Sequence, residues 1–522
     1  MKKKKSVVAL LSTVALVAVV AGCGEKDSSK TTASSTPAAS TAVKREMKVS
    51  ASIYDRGTVA SEEGNYEENR WTKFINANSG VTVKWVPVPR ASATDKLNVL
   101  FASGDAPDLV NEYDRGYIGK LVDQGTIQPI DSYIEKYSTS YKKYLNEHPE
   151  LKPYLTFNGK MYAFSTVRPT VANQAMWIRQ DWLDKLNLKT PTTMDELLEV
   201  ARAFKDKDPD GNGKADTVPI TFNGNYQSIL RSMFSAVGQW YLEDGKMTIG
   251  QNTDRFGDEL DLQKKLWEEG LVDKEYLTDK NFTRERQFFV TGKSGIYLAG
   301  YDIANEFREL KANDPNANPV PMEPVSTKYG KFGLYQETAP NFYSVLNKNA
   351  KDPEAAIKFI DWLVDKGWFT LKFGLEGTHY KLVNGIPQVI DADKNKKELS
   401  YAAEYPFLQQ WTEKPENYPV MMAQDPISQE YAKKKGQSLQ IALKNKFRRD
   451  VPYAPSFQEL TDITAAIAKP VWDDVEAKVV TGGPQFNGKW AVETIRKEWK
   501  RLGGDKVDQL SQEWYEKNIK GK

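Results

Sequence analysis

The chain has 522 residues, with 72 Lys and Arg against 70 Asp and Glu, two His and a single Cys. That near-neutral balance gives no general case for nucleic acid or an anionic membrane surface as partner. One cysteine excludes an internal disulfide, and the length is more than one core fills, so two or three domains are expected.

Met1 is followed by Lys2 to Lys5, an apolar run from Ser6 to Val20, and then Ala21-Gly22-Cys23. A basic start, a short apolar run and small residues before a cut mark a secretory signal peptide. The run is shorter than the roughly 20 residues a membrane-spanning helix needs. Val20-Ala-Gly-Cys23 resembles the lipobox of bacterial lipoproteins, in which a diacylglycerol alkylates the cysteine thiol and the chain is cut just before it. The alternative is a plain secretory signal with an incidental cysteine. Against it, an unpaired thiol is an oddity in an oxidising compartment, and no other cysteine exists. Residues 1–22 are therefore read as a lipoprotein signal peptide and Cys23 as the lipidation site. The resemblance implies a protein exported and tethered to the outer face of the bacterial cytoplasmic membrane. One acyl chain binds marginally, so two or more would hold it. Cutting there removes four lysines and no acid, leaving 68 basic residues against 70 acidic ones. Residues 23–46, rich in Ser, Thr and Ala, read as a flexible tether with a reach of roughly 25–30 Å.

The folded part opens as strand, helix, strand, helix, strand. Met47 to Tyr54 alternates like a half-buried strand, and Asn65 to Asn78 puts Trp71, Phe74 and Ile75 on one helical face before Gly80. Val81 to Val86 is a second strand, Thr94 to Ser103 a helix with Leu97, Leu100 and Phe101 in register, and Asp108 to Val110 a third strand. This succession predicts a mainly parallel sheet covered by helices. Ligands in such sheets sit beyond the carboxyl ends of the strands, which brings Tyr54 and the turn from Asn111 to Arg115 to a cleft.

Leu97-Asn-Val-Leu-Phe-Ala-Ser-Gly-Asp-Ala-Pro-Asp-Leu-Val110 resembles a signature of the sugar-binding class of extracellular solute-binding proteins that serve ABC importers. Met176 to Leu186 followed by Pro191 to Leu197 resembles the same family just after the chain enters its second lobe. There Thr193 and Glu196 form a capping box, and Leu197, Val200, Ala201 and Phe204 carry the apolar face.

Asp208-Pro-Asp-Gly-Asn-Gly-Lys-Ala-Asp216 places side-chain oxygens at positions 1, 3, 5 and 9 and Gly213 at position 6. That spacing wraps Ca²⁺, with Lys214 giving its backbone carbonyl. Pro219 stands where an EF-hand has its glutamate, and the match is instead to the single calcium loop of part of the solute-binding family. Thr217 replaces the acid that often follows there. The competing reading is a solvated Asx turn, but three carboxylates in nine residues would otherwise repel. The expected metal set is Asp208, Asp210, Asn212, Lys214 and Asp216, holding a structural calcium ion.

Thr291-Gly-Lys-Ser-Gly-Ile-Tyr-Leu-Ala-Gly-Tyr301 is not a phosphate loop, because Gln287 stands where the first glycine belongs. It resembles a family strand that ends in an aromatic at the cleft, here Tyr301. Val237 to Lys246 resembles a segment whose aromatic, Trp240, reaches the ligand; for both rings, packing in a core is the competing role. Asp352-Pro353 opens a helix, His379 reads as a structural or cleft residue, and the tail from Val451 is helical.

The resemblance implies an α/β, two-lobed periplasmic-binding-protein fold, class II-like, each lobe a mainly parallel sheet flanked by helices, with a hinge between them. Lobe one takes 47–165 plus about 341–395, and lobe two takes 166–340 plus about 396–522. It implies a monomer without catalysis that captures a carbohydrate, probed by Tyr54, Glu112 and Asp114 from one lobe and Trp240 and Tyr301 from the other, and delivers it to ABC transporter permease subunits. The 13 Trp, 25 Tyr and 21 Phe suit stacking on sugar faces. The alternative, a lipid-anchored polysaccharide hydrolase, needs two carboxylates about 5–10 Å apart.

Overall fold

The structure is a computed structural model that describes residues 45–222, 228–279 and 283–520. The signal peptide, Cys23 and nearly all of the tether lie outside these residues.

The opening succession folds as expected, with shifts of a few residues. Strands β1 (Lys48–Asp55), β2 (Thr82–Pro89) and β3 (Leu109–Glu112) enclose helices α1 (Arg70–Asn78) and α2 (Ala93–Ser103). Helix α1 starts later than Asn65 because Asn69 caps it, accepting from the backbone N–H of Trp71 (2.8 Å) and Thr72 (3.1 Å). Helix α2 stops at Gly104, whose φ of 79° is the left-handed turn glycine takes at least cost. Asp108 explains the Gly-Asp-Ala-Pro-Asp run: its carboxylate accepts from Ser50 N (2.8 Å), Ser50 Oγ (2.7 Å) and Lys351 N (3.1 Å). It ties the amino end of β3 to the chain on either side.

Helix α3 (Arg115–Asp123) follows, and after strand β4 (Ala163–Phe164) the chain leaves this sheet. Strands β5 (Gln174–Arg179), β6 (Val218–Phe222), β7 (Ser294–Gly300) and β8 (Pro319–Met322) form a second sheet before β9 (Tyr343–Leu346) rejoins the first. The orders are β2-β1-β3-β9-β4 and β8-β5-β7-β6. Strands β1, β2 and β3 are parallel, as are β6 and β7, whereas β9 and β5 run against their neighbours. Each sheet is therefore mainly parallel with one reversed strand, and that strand is the first laid down after a crossing.

Two aromatic-rich cores match the two sheets. Trp85 packs edge-on against Phe359 and Tyr405 (centroids 6.0 and 4.9 Å) behind the first. Behind the second, helix α4 (Met194–Asp206), capped by the Thr193–Glu196 pair, drives Phe204 onto Trp182 at 5.3 Å. Each such buried ring contributes roughly 1.5–3 kcal/mol. Gly295 in β7 has no side chain because a Cβ there would lie 2.2 Å from Phe204. The Gly-Lys-Ser-Gly run thus serves helix-to-sheet packing. Tyr401, Tyr405, Phe407 and Leu408 lie in the first sheet's core. The sequence assigns everything from about 396 to the second lobe; burial of these aromatics keeps the chain with the first core as far as Leu408.

Candidate functional site

Residues 165–173 carry the chain from β4 to β5, and residues 323–342 bring it back from β8 to β9. The two passes pair antiparallel: Arg168 N donates to Ala339 O (2.8 Å), Glu337 N to Val171 O (2.8 Å) and Asn341 N to Thr166 O (2.9 Å). A third pass joins them, since Glu413 N donates to Pro169 O at 2.9 Å. Among the described residues, only these extended passes, held by a few backbone hydrogen bonds, carry the chain between the two sheets.

A cavity of about 300 Å³ opens on these passes, lined among others by Arg168, Asn173, Tyr301, Asp302, Glu337 and Glu413. Strand β7 delivers Tyr301 and Asp302 at its carboxyl end, and Tyr301 N donates to Asn173 O (3.1 Å). Helix α5 (Pro426–Lys444) supplies Lys435, 2.8 Å from Asp302 and 4.0 Å from Glu413. Burial works against the charge on Asp302, but Lys435 and the Tyr431 hydroxyl (2.6 Å) hold its carboxyl below the usual range. The Lys435 ammonium also sits 4.4 Å from the centre of the Tyr418 ring and 5.9 Å from that of Tyr301.

The carboxyl ends of β1, β2 and β3 carry an aromatic and cationic stack. Tyr54 and Tyr113 are parallel with centroids 5.7 Å apart, and Phe342 stands edge-on to Tyr113 at 4.4 Å. The Arg90 guanidinium lies 4.7 Å from the Tyr54 ring centre and 5.3 Å from that of Tyr113. Tyr113 is 37 % exposed, so it is the ring that a ligand can reach. Phe342 ends the returning pass, so its contact with Tyr113 links this stack to that pass. Arg449 extends the series, 5.7 Å over Tyr335, donating to the carbonyl of Gln336.

Of the five sequence-predicted ligand residues, Tyr301 lines the cavity. Tyr54 is buried beneath Tyr113 and Arg90; burial, then the nearby Glu112 charge, push its hydroxyl well above the usual tyrosine range. Glu112 is buried too, accepting from Tyr113 N (2.6 Å) and Asp114 N (3.2 Å), so it shapes the turn that presents Tyr113. Asp114 caps α3 through Gly116 N (2.8 Å). Burial of Tyr54 and Glu112 corrects their expected direct ligand contacts, whereas Asp114 is exposed on the turn beside Tyr113. Trp240 is a further correction. Trp240–Glu243 and Lys246–Ile249 form a hairpin, and Trp240 is buried in a separate core with Trp499 at 6.5 Å, Met247 and Ile463. An indole is large enough that the C-terminal helices claim it as core.

The rule that ligands meet strand carboxyl ends points equally to Arg90 and Tyr113, immediately after β2 and β3, and reading it per side chain would have found them. Arg168, Tyr335, Glu413 and Arg449 lie in irregular segments without a motif. Buried His379 is structural: its Nδ1 accepts from Leu375 N at 3.0 Å.

In the Asp208–Asp216 loop, Gly211 and Gly213 take φ of 72° and 74°. Asp208 accepts from Gly213 N (3.0 Å), and the Asn212 side-chain N–H₂ stands between Asp210 (2.7 Å) and Asp216 (2.9 Å). Asp216 also pairs with Lys293 (2.7 Å). A hydrogen bond with Asp210 lowers the Asp208 carboxyl, while burial and Asp208 raise that of Asp210. Among the described residues no three His, Cys, Asp or Glu side chains stand as a ready metal cluster. Thr217 Oγ1 is buried without a hydrogen-bond partner. The donor set is all oxygen, it is crowded enough to perturb itself, and an amide N–H₂ occupies the gap; these features fit a hard cation.

Two mainly parallel sheets, joined by paired passes with a polar cavity that includes Tyr301, give the two-lobed α/β architecture of a binding-protein fold. The chain belongs to the bacterial extracellular solute-binding protein family, which matches residues 61–368. It is 30% identical over 320 residues to the polygalacturonan/rhamnogalacturonan-binding protein YtcQ of Bacillus subtilis (strain 168), covering 58% of this chain and 61% of YtcQ, less than two thirds of that relative. It is 26% identical over 402 residues to lipoprotein LipO of the same organism, covering 74% of this chain and 76% of LipO. Streptococcus pneumoniae FusA, solved in complex with kestose, shares the fold at a TM-score of 0.70 and 20% identity, covering 91% of this chain and 100% of that one. Among the described residues no helix is long and apolar enough to cross a membrane.

Proposed function

We propose that the protein captures an oligosaccharide between its two sheets by bending at the paired passes and hands it intact to an ABC importer. The observation that carries this is the cavity on those passes, where the Tyr301 ring lies beside the polar groups of Arg168, Asn173 and Glu337. Sugars present exactly these two demands, apolar C–H faces and a perimeter of hydroxyls. Among relatives, YtcQ is a polygalacturonan/rhamnogalacturonan-binding protein and FusA a fructooligosaccharide ABC transporter substrate-binding protein, which supports a carbohydrate without choosing one. A thermal-shift screen against acidic and neutral oligosaccharides tests the reading. At least one should raise Tm with saturable, one-to-one binding, and none doing so counts against it.

The hydrolase alternative is disfavoured by the cavity's acids. A general acid needs a raised pKa, whereas Lys435 and Tyr431 hold the Asp302 carboxyl below the usual range despite its burial.

The mature protein is in this reading a monomer held by diacylglycerol on Cys23; the description of LipO as a lipoprotein supports the anchor. Replacing Cys23 with Ser should release it from membranes, and a Ser variant that still fractionates with lipid contradicts the assignment. The loop of Asp208, Asp210, Asn212, Lys214 and Asp216 holds a structural Ca²⁺. The ion would cancel carboxylate repulsion and cross-link the loop. Turning the Asn212 amide would present its oxygen in place of the N–H₂ group. A FusA structure described as an EF-hand mutant supports this.

A further inference from the structure

The relatives do not decide between acidic and neutral sugars, but the charges at the cleft do. Arg168 lines the cavity, Arg56 and Arg90 lie against the Tyr54–Tyr113 stack, Arg449 lies on Tyr335 of the returning pass, and Arg115 opens α3. Arg56 is taken by Glu404 at 2.5 Å, and Arg168 is loosely matched by Glu337 at 3.6 Å. Of the other cleft acids, Asp302 and Glu413 lie beside Lys435, Asp114 caps α3 and Glu112 holds its own turn. Arg90, Arg115 and Arg449 form no ion pair among the described residues.

These three are held by rings and carbonyls instead. Arg90 lies over Tyr54 and Tyr113. Arg449 lies 5.7 Å over Tyr335 and 5.3 Å over Phe447. Arg115 lies between Phe157 (4.3 Å) and Tyr453 (4.5 Å), and its Nε donates to Tyr154 O (2.9 Å). Arg115 also spends Nη2 on Thr156 O (3.1 Å), so its edge is filled, and Arg449 spends one Nη2 on Gln336 O, whereas the Arg90 side chain donates no hydrogen bond among the described residues. An aromatic face fixes the plane of a guanidinium, and the N–H groups left over on Arg90 and Arg449 match a carboxylate. Closing such a cleft on a neutral sugar would strip water from cations and give them no countercharge.

We infer that the ligand is an acidic oligosaccharide, a chain of uronic-acid sugars whose carboxylates are met by Arg90 and Arg449 while its rings lie against Tyr113 and Tyr335. This rests on the carbohydrate-capture reading above and narrows it to one chemical class.

The test is calorimetric titration of the protein with tetragalacturonate and tetramannuronate, with galactotetraose and maltotetraose as neutral counterparts, and with a sulfated galactan fragment. A uronide should bind at least about 100-fold tighter than either neutral chain, and its affinity should fall as salt rises from about 50 to about 300 mM. Arg90→Gln and Arg449→Gln should each weaken uronide binding about 10- to 100-fold. Arg90 is exposed, so its variant should fold normally, and Tm of both variants checks this. A neutral chain that binds as well as the uronides overturns the acidic class and leaves carbohydrate capture standing. Tight binding of the sulfated fragment alone overturns the carboxylate assignment. No binding by any of the five overturns the inference and weighs against the capture reading as well. Uronide affinity that survives both substitutions overturns the assigned contacts.

Discussion

A Cβ placed on Gly119 would lie 1.9 Å from Ser456 Oγ and 2.9 Å from Ser456 Cβ. Gly119 is inside α3 beside the first sheet, whereas Ser456 lies between Val451 and Phe457, which pack with the C-terminal helices. A helix-interior glycine costs about 1 kcal/mol relative to alanine, so something must require it, and this close approach does. We expect Gly119→Ala to weaken ligand binding about 5- to 50-fold by holding the two surfaces apart. An unchanged affinity with Tm raised, as helix propensity alone dictates, would contradict the contact.

Trp240 and Tyr301 should respond in opposite ways. Trp240 is core, so Trp240→Ala should lower folding stability by roughly 3–5 kcal/mol with affinity per folded molecule nearly unchanged. Tyr301 lines the cavity, so Tyr301→Ala should cost on the order of 1–3 kcal/mol of binding. Paired melting and titration measurements on the two variants check the contrast, and equal effects would mean that one ring is misassigned.

Glu285 gives a pH signature unrelated to ligand. Burial, then the nearby Asp273 charge, push its carboxyl up to about 8, and Phe222 N offers only a 3.4 Å contact. The folded state therefore holds a proton that the unfolded chain releases near its ordinary value of about 4.5. Stability is lost as pH rises from about 4.5 to about 8. Glu285→Gln keeps the shape without the charge. It should stabilise by on the order of 2–4 kcal/mol at about pH 8 and by little at about pH 4.5. Melting curves across that window check it, and a pH-independent difference would refute it.

For calcium, adding the ion should raise Tm and chelation should lower it, because only the folded loop collects the donors. Asp210→Ala should abolish the difference. Superimposable curves for calcium-loaded and exhaustively chelated protein would refute the site.

Periodicity and caps made much of the fold legible. Gly104, Thr193 and Asp352 end or begin helices through short-range chemistry, and alternation placed β1 to β3 within a few residues, whereas the Asn69 cap was missed in favour of Asn65. The reversed strands β5 and β9 were not legible, because direction is set by which pass delivers a strand and not by its composition. The site was legible only to the level of a turn. The segment Asn111–Arg115 does reach the rim, but which side chain points outward depends on the buried hydrogen bonds of Glu112. A tryptophan in a core and one in a cleft look alike in sequence, and only the C-terminal helices packed on Trp240 separate them.

The central claim is that the protein holds a sugar and leaves it whole. Native mass spectrometry of the protein after hours with a saturating oligosaccharide that raises its Tm addresses this most directly. A single complex is predicted, one ligand per chain, with the released ligand at its original mass. Shortened ligand that persists after repurification and vanishes when one acidic residue is replaced would contradict the account and establish a hydrolase.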